Sequence, residues 1–248
     1  MNTHKTFLIM DTRRCLDCGN CERACERRHG EPRFDRHGFE VGYIRVPTTC
    51  KDCVDPECVA ACRFQAMIKT RDRLTQPTEM CVGCNLCARK CPFGAINMLP
   101  AQVVREKVLA KKQVKSKRKF LAISGWLHRP NGENSQIESI PAGRDGSQST
   151  APKKTKRKRE VWKCDACAGY KKRACVYNCP TGALREVALD DLVREIPREW
   201  GQTLVEYLAP AFLTREEKQA IREGKLRLVV TEDKRIELTP VEEIALVA

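Results

Sequence analysis

The sequence lacks long apolar runs and the glycine motifs of nucleotide-binding proteins. No stretch approaches the roughly 20 apolar residues that a membrane span requires, and the run Phe7–Met10 is too short for the apolar part of a secretory signal. Neither G-x-G-x-x-G nor G-x4-G-K-[ST] occurs, so the sequence shows no sign of a nucleotide or flavin site. These absences predict a cytoplasmic chain. Export attached to a partner that carries a signal would leave no mark in this sequence.

Apolar residues are also scarce for a chain of 248 residues. They make up 42% of the sequence and aromatic residues only 6%, which predicts a thin core, and bound metal is one way to stabilise such a scaffold. Disulfides are rare in the cytoplasm, so the 16 cysteines are candidates for metal ligands or redox groups.

The cysteines fall into four groups of four, with none left over. Groups one and three have the spacing C-x2-C-x2-C-x3-C, group two C-x2-C-x4-C-x3-C and group four C-x2-C-x7-C-x3-C. In chain order the groups are Cys15, Cys18, Cys21 and Cys25; Cys50, Cys53, Cys58 and Cys62; Cys81, Cys84, Cys87 and Cys91; and Cys164, Cys167, Cys175 and Cys179. A repeat follows the last cysteine of groups two to four, at Cys62–Met67, Cys91–Ile96 and Cys179–Leu184.

This spacing is typical of iron–sulfur proteins. A tight C-x2-C-x2-C loop presents three thiolates to one [4Fe–4S] cluster, and the fourth cysteine, followed by proline, ligates the other cluster of a two-cluster unit. Group three has this form, including Pro92 after Cys91. Four related groups therefore predict several clusters.

Other uses of the cysteines fit the spacing less well. All-cysteine zinc sites use separated C-x2-C pairs, whereas groups one and three each place three cysteines within seven residues. A disulfide framework requires an oxidising compartment, and the C-x3-C-x2-C triplet of radical-SAM enzymes does not occur. The four histidines are scattered and are predicted to be solvated or structural rather than ligands; they are His4, His29, His37 and His128.

In order and spacing, the four groups resemble the iron–sulfur subunits of the dimethyl sulfoxide reductase and formate dehydrogenase families. The electron-carrier subunits of formate hydrogenlyase and carbon monoxide dehydrogenase systems are similar. The resemblance covers about residues 5–100 and 160–187. It implies an α+β fold of two ferredoxin-like modules, one inserted in the other. Module A would comprise residues 1–49 and 160–187, module B residues 50–100, a basic insertion residues 101–159, and a C-terminal α/β extension residues 188–248.

The resemblance also implies four [4Fe–4S] clusters held by four ligand sets. Set 1 is Cys15, Cys18, Cys21 and Cys179; set 2 is Cys164, Cys167, Cys175 and Cys25; set 3 is Cys50, Cys53, Cys58 and Cys91; and set 4 is Cys81, Cys84, Cys87 and Cys62. Two positions depart from the family pattern without removing a ligand: Arg63 stands where proline is usual, and Glu26 follows Cys25. Nearby cations are expected to favour the reduced clusters, namely Lys51, Arg63, Arg89 and Lys90.

These features predict an electron-transfer subunit that is not an enzyme by itself. By family analogy it would work in a hetero-oligomer, between a molybdenum- or tungsten-pterin oxidoreductase and a second electron donor or acceptor. A hydrogenase or carbon monoxide dehydrogenase partner is the alternative. A scaffold with purely structural clusters is a third hypothesis, which four clusters disfavour.

The basic charge is concentrated in one segment. The chain has a formal net charge of +14, and residues 101–160 hold 16 Lys and Arg against 5 Asp and Glu. The run Lys153–Arg159 could serve as a docking arm for an acidic partner, a solvated linker, a contact to an anionic membrane or a grip on nucleic acid, in that order of preference. No nucleic-acid partner is expected.

The sequence further predicts short strands and a structured C-terminal stretch. Strands are expected at Thr6–Met10, Tyr43–Val46, Ala66–Lys69 and Leu184–Val187. Thr214 and Glu217 have the spacing of a capping box, and the helix they open should stop near Gly224. Leu226–Val230 and Arg235–Leu238 predict a hairpin, and Thr239, Pro240 and Glu242 predict the start of a last helix.

Overall fold

The chain folds around a four-stranded antiparallel sheet. The structure is a computed structural model, and it describes residues 1–69, 75–78, 80–100 and 159–241. The strand order is β2-β3-β1-β8, formed by β1 (Thr6–Asp11), β2 (Asp35–Val41), β3 (Ile44–Thr48) and β8 (Leu184–Ala188). In the register of β1, Met10 pairs with both Arg45 and Leu184. The first and the last cysteine groups are thereby joined through one sheet.

Three two-stranded ribbons and seven helices complete the described part of the chain. The ribbons pair β4 (Met67–Lys69) with β5 (Thr75–Pro77), β6 (Ile96–Pro100) with β7 (Arg159–Lys163), and β9 (Leu226–Val230) with β10 (Ile236–Pro240). The helices are α1 (Asn20–His29), α2 (Glu57–Ala60), α3 (Leu86–Arg89), α4 (Ala174–Tyr177), α5 (Leu189–Glu195), α6 (Arg198–Phe212) and α7 (Arg215–Arg222). None of these described helices has the length and apolarity to cross a membrane.

The central sheet separates two different interiors. Side chains alternate along β1, so Phe7 and Ile9 enter an apolar core while Leu8 and Met10 point to a face lined by cysteines. The apolar core is closed by α5 and α6. The sheet therefore backs the cysteine-bearing loops on one side and packs on a C-terminal layer, residues 188–241, on the other.

The C-terminal layer supplies most of the main apolar core. This core is larger than the thin core that the composition predicted. Thirteen of the nineteen buried residues in that core lie after residue 188. Helix α6 contributes Leu204, Val205, Leu208 and Phe212, which share one face at helical spacing and are fully buried. Each such side chain stabilises the fold by about 1.5–3 kcal/mol. A segment without cysteine thus contributes most of the burial in the main apolar core.

The C-terminal layer also touches the loop of the second cysteine group. The N–H of Val54 donates to the carbonyl oxygen of Ala211 at 2.8 Å, and the N–H of Arg215 donates to the Asp55 carboxylate at 2.7 Å. The ring of Tyr207 stacks on Phe39 with centroids 4.1 Å apart. The layer therefore positions this loop as well as covering the sheet.

Most of the predicted local structure is confirmed, with one correction. The four strands begin and end within two residues of their predicted bounds, and the hairpin and helix α7 with its capping box are present. The predicted helix start at Thr239 and Pro240 is misplaced, because both residues extend β10 and pair with Arg227 and Leu226. Proline is tolerated there because the end of an edge strand needs no further donor. Helical structure begins directly after β10, at Val241.

The predictions for the basic insertion and for the end of the chain concern residues that the structure does not describe. The basic insertion 101–159 lies outside the described residues except for Arg159, which begins β7. The same holds for Glu242.

Candidate metal centres

The four cysteine loops share one backbone feature. The residue two places after the first cysteine of each group has a left-handed conformation: Asp17, Asp52, Gly83 and Ala166, with φ of 52°, 50°, 75° and 54°. Left-handed residues turn the chain sharply, which brings successive cysteines of a short loop to the same side. Three of the four lack the freedom of glycine, so surrounding structure holds them in place.

A second left-handed residue explains the repeat that follows the last cysteine of groups two to four. Gln65, Gly94 and Gly182 have φ of 49°, 59° and 63°. In each copy the next residue is a buried alanine that leads into a strand. Group one departs from the repeat because its last cysteine, Cys25, lies inside helix α1.

Two of the predicted ligand sets each line a single small cavity. The first cavity is lined by the members of set 1, Cys15, Cys18, Cys21 and Cys179, together with Met10 and Leu184. The second is lined by the members of set 4, Cys62, Cys81, Cys84 and Cys87, together with Met67 and Met98. One cysteine of each set, Cys18 or Cys84, is exposed at the surface.

The members of the other two sets also lie close together. In set 2, Cys175 lies close enough to Cys164, Cys167 and Cys25 for a thiolate at any of them to raise its pKa, in addition to the larger effect of burial. In set 3, Cys53 lies equally close to Cys50, Cys58 and Cys91. The structure therefore brings the sixteen cysteines, none of which forms a disulfide, into four neighbourhoods of four.

Contacts between sets give the order 1, 2, 3, 4. Cys21 of set 1 and Cys25 of set 2 lie one turn apart on α1. The ammonium group of Lys163 lies 3.4 Å from the sulfur of Cys50 in set 3 and 3.3 Å from the carbonyl oxygen of Cys164 in set 2. Cys58 of set 3 is close enough to Cys87 of set 4 to feel its charge.

Burial disfavours the thiolate form of several of these cysteines when no metal is bound. It raises the pKa of Cys21, Cys25 and Cys58 to about 11, and the pKa of Cys53 and Cys175 to about 12. Metal binding requires thiolates and therefore releases protons, so it becomes weaker as the pH falls. Buried thiols with these pKa values favour the protonated form unless a cation compensates the thiolate charge.

Cys179, which is partly buried, is an exception among these cysteines. Burial alone would raise its pKa, but hydrogen bonds from the N–H groups of Leu184, Thr181 and Ala183 and from the Thr181 hydroxyl outweigh it, so the pKa is lowered. Cys179 follows α4 and begins the third copy of the repeat. The tight turn of this repeat thus supplies donors to a thiolate, an arrangement common around iron–sulfur clusters.

His29 contacts a cysteine sulfur atom, which sequence reasoning did not predict. Its side chain is 7% exposed, and its Nε2 lies 3.4 Å from the sulfur of Cys167 and 3.8 Å from the Asp165 carboxylate. Asp165 also forms an ion pair with Arg33. Since 138 residues separate His29 from Cys167, spacing along the chain gave no signal for this contact. The histidine packs beside set 2 as a sulfur-contacting residue.

The cations near the cysteines differ in burial. Lys51 is 4% exposed and Lys163 6%, whereas Arg63, Arg89 and Lys90 are exposed. Burial lowers the pKa of Lys51 to about 7, and the negative charges of Cys50 and Cys164 act in the opposite direction.

The donor atoms fit iron–sulfur clusters. A [4Fe–4S] cluster takes four thiolates, and each neighbourhood supplies four cysteine sulfur atoms. The single mixed group of metal-ligand type found among the described residues is His29, Asp165 and Cys167, which shares its sulfur with set 2. Sulfur-only sets in tight loops are the chemistry expected for iron rather than for a hard cation.

Comparisons with known proteins agree with this chemistry. The family described as a 4Fe-4S dicluster domain matches residues 73–180. Hydrogenase-4 component A of Escherichia coli (strain K12) is 26% identical, covering 77% of this chain and 86% of the relative. The arsenate respiratory reductase iron-sulfur subunit ArrB of Shewanella sp. (strain ANA-3) is 29% identical over 74% of this chain and 82% of the relative.

A third relative matches a shorter stretch. The electron transport protein HydN of Escherichia coli (strain K12) is 30% identical over 40% of this chain and 63% of its own length. The similarity thus extends to a reductase subunit, a hydrogenase component and an electron transport protein alike.

Proposed function

We propose that this chain, an iron–sulfur protein with a 4Fe–4S dicluster domain similar to electron-transport subunits of reductases and hydrogenases, holds four [4Fe–4S] clusters and relays electrons within an oxidoreductase complex. The observation that carries the proposal is the sorting of all sixteen cysteines into four adjoining neighbourhoods of four. A single structural site would need only one such neighbourhood.

In this proposal, sets 1 to 4 are the ligand sets. Sets 1 and 2 would form module A, residues 1–49 and 160–187, and sets 3 and 4 would form module B, residues 50–100, inserted within it. The pairing of β1 with β8 supports this arrangement, because it joins the two parts of module A in one sheet. Residues 188–248 would form an extension that stabilises both modules.

The order of the sets suggests where electrons enter and leave. Sets 1 and 4 are the ends of the series, and each has one exposed cysteine, Cys18 or Cys84. Next to these lie exposed apolar side chains, Leu16 at 70% and Val82 at 42%. In this proposal, each of these two ends is a place where a partner protein docks. Sets 2 and 3 would connect the two ends.

Catalysis would lie on a partner subunit. The resemblance to the dimethyl sulfoxide reductase and formate dehydrogenase families favours a molybdenum- or tungsten-pterin enzyme, with a second redox protein at the other end. The similarity to hydrogenase-4 component A over most of both chains favours a hydrogenase-type complex as the second candidate. In either case the chain would act in a cytoplasmic hetero-oligomer and would not be an enzyme by itself.

Counting iron in paired double variants tests the clusters and their ligand sets together. The anaerobically purified chain should contain about sixteen iron atoms, four per cluster. Cys15→Ala with Cys179→Ala removes two ligands of one set and should cost about four irons. Cys15→Ala with Cys175→Ala also removes two cysteines, one of them near the same helix α4, but it damages two sets and should cost more.

Three results would contradict the proposal. A wild-type chain with far fewer irons, or with a colourless metal, would rule out four iron–sulfur clusters. Equal iron loss in both double variants would reject the assignment of Cys179 to set 1. A chain with full iron content whose clusters dithionite does not reduce would leave only a structural role for these clusters.

A further inference from the structure

Two buried lysines lie between the inner cysteine sets. Lys51 follows Cys50 of set 3, and Lys163 precedes Cys164 of set 2. The side-chain ammonium group of Lys163 donates to the sulfur of Cys50 at 3.4 Å, across 113 residues of sequence. Lys51 faces a cavity that is also lined by Cys50 and Cys164. The two side chains thus occupy the junction between sets 2 and 3.

The polar contacts of these lysines are to carbonyl oxygens and sulfur, and the carboxylate that lines the same cavity as Lys51, that of Asp52, pairs with Lys5 at 3.8 Å. Lys51 donates to the carbonyl oxygen of Pro47 at 2.7 Å and lies 6.0 Å from the ring centroid of Phe93. Lys163 donates to the carbonyl oxygen of Cys164 at 3.3 Å. Within the described parts of the chain, neither ammonium group lies within 4 Å of an Asp or Glu oxygen, in contrast to Arg173, which pairs with Glu186.

A buried ammonium group without a carboxylate partner is costly unless another anion compensates it. Because the Asp52 carboxylate at this junction pairs with Lys5, the anions that would compensate Lys51 and Lys163 are the thiolates of sets 2 and 3 once these ligate clusters. Fully ligated [4Fe–4S] clusters are anionic, and they become more negative by one charge on reduction. A fixed cation at the edge of two such clusters stabilises the reduced form of both, and the effect is larger where water is excluded.

We propose that Lys51 and Lys163 form a cationic bridge that favours reduction of the two inner clusters relative to the two outer ones. This inference rests on the proposed function, because it requires clusters at sets 2 and 3. The lysines are positioning residues: they ligate no iron, and they act through the charge that they place beside the inner sulfur atoms. The bridge would keep the inner clusters reducible, so that an electron can pass from one end to the other.

Redox titration followed by electron paramagnetic resonance tests the bridge. The anaerobically purified holoprotein is compared with Lys51→Met, Lys163→Met and the double variant. We expect two of the four midpoint potentials to move to more negative values, further in the double variant than in either single one. Lys51→Arg and Lys163→Arg retain the positive charge, so their midpoint potentials should stay close to the wild-type values.

Lys234→Met provides a matched control. The ammonium group of Lys234 also donates to two carbonyl oxygens, those of Arg194 and Ile196, at 3.1 and 2.8 Å, but in the C-terminal layer. The substitution removes one positive charge and two comparable hydrogen bonds at a site that contacts no cysteine in the described part of the chain. All four midpoint potentials should stay at their wild-type values in this variant.

The outcomes separate this inference from the function on which it rests. Fewer than four reducible clusters in the wild-type chain would overturn the proposed function. Four clusters whose potentials are unchanged in the methionine variants, or shift equally at all four clusters, would overturn the bridge alone. The methionine variants could also lose iron. In that case, full iron content in the arginine variants would support a need for the positive charge, and iron loss in the arginine variants as well would reject the bridge.

Discussion

Gly42 allows the hairpin of β2 and β3 to meet the C-terminal layer. It is the first of the two loop residues between the paired Val41 and Ile44, and its φ is 55°. Favoured two-residue hairpin turns place a left-handed residue at this position. A Cβ atom here would lie 2.3 Å from the ring of Trp200, and the next loop residue, Tyr43, packs edge-to-face on that ring at 5.1 Å.

We therefore expect Gly42→Ala to destabilise the chain more than an alanine at an open left-handed glycine. Gly224 is the control: its φ is 71°, and no atom of the described chain lies within 4 Å of an added Cβ. Both variants carry the backbone strain, but only Gly42→Ala overpacks against Trp200, which should cost about 1–3 kcal/mol more. Urea unfolding of the holoprotein followed by far-ultraviolet circular dichroism measures the difference. Equal losses would show that Trp200 moves aside freely.

Single residues also show where sequence reasoning reached its limit. The cysteines were predictable as a metal-binding group because clustered thiols with this spacing have few other uses in a chain of this kind. The buried positions of Lys163 and His29 were not, because their sulfur contacts join residues 113 and 138 places apart. The burial of a lysine depends on packing between distant segments, which no local pattern encodes.

At the scale of elements, helix α7 was predictable from its first turn. The hydroxyl of Thr214 accepts from the N–H of Glu217 at 3.3 Å, and the Glu217 carboxylate accepts from the N–H of Thr214 at 2.8 Å. This reciprocal capping depends on two side chains three residues apart, so the sequence alone contains it. Helix α6 was not predicted, and Gly201 and Pro210 lie within it. Burial of its apolar face against the sheet outweighs their low helix propensity.

Removing the cap hydroxyl tests how much α7 depends on it. Thr214→Ala should lower the free energy of unfolding by about 1 kcal/mol, because the N–H of Glu217 loses its acceptor. Thr214→Ser retains a hydroxyl and should stay within roughly 0.5 kcal/mol of the parent chain. Thermal unfolding of both variants under the same anaerobic conditions gives the comparison. A serine variant as unstable as the alanine variant would mean that the methyl group, not the cap, matters here.

At the scale of the whole molecule, two kinds of interior stabilise different parts. Helix α2 buries none of its residues, and helix α3 buries only Cys87. Four-residue helices of this kind are not stable on their own. Helix α6, in contrast, buries five of its residues in the main apolar core. The cysteine-bearing loops should therefore depend on bound clusters, while the C-terminal layer should depend on hydrophobic packing.

Cluster removal should consequently loosen the two parts unequally. We expect hydrogen–deuterium exchange of the chelator-treated chain to rise by roughly tenfold or more in peptides from 50–62 and 81–91, since the ligands no longer fix these loops. Peptides from 198–213 should retain most of their protection, because their burial involves no cysteine-bound metal. Reconstitution with iron and sulfide is the control and should restore the slow exchange of the loops. Equal acceleration in both regions would show instead that the chain unfolds as one cooperative unit when the clusters are lost, and that the sheet transmits their loss to the apolar core.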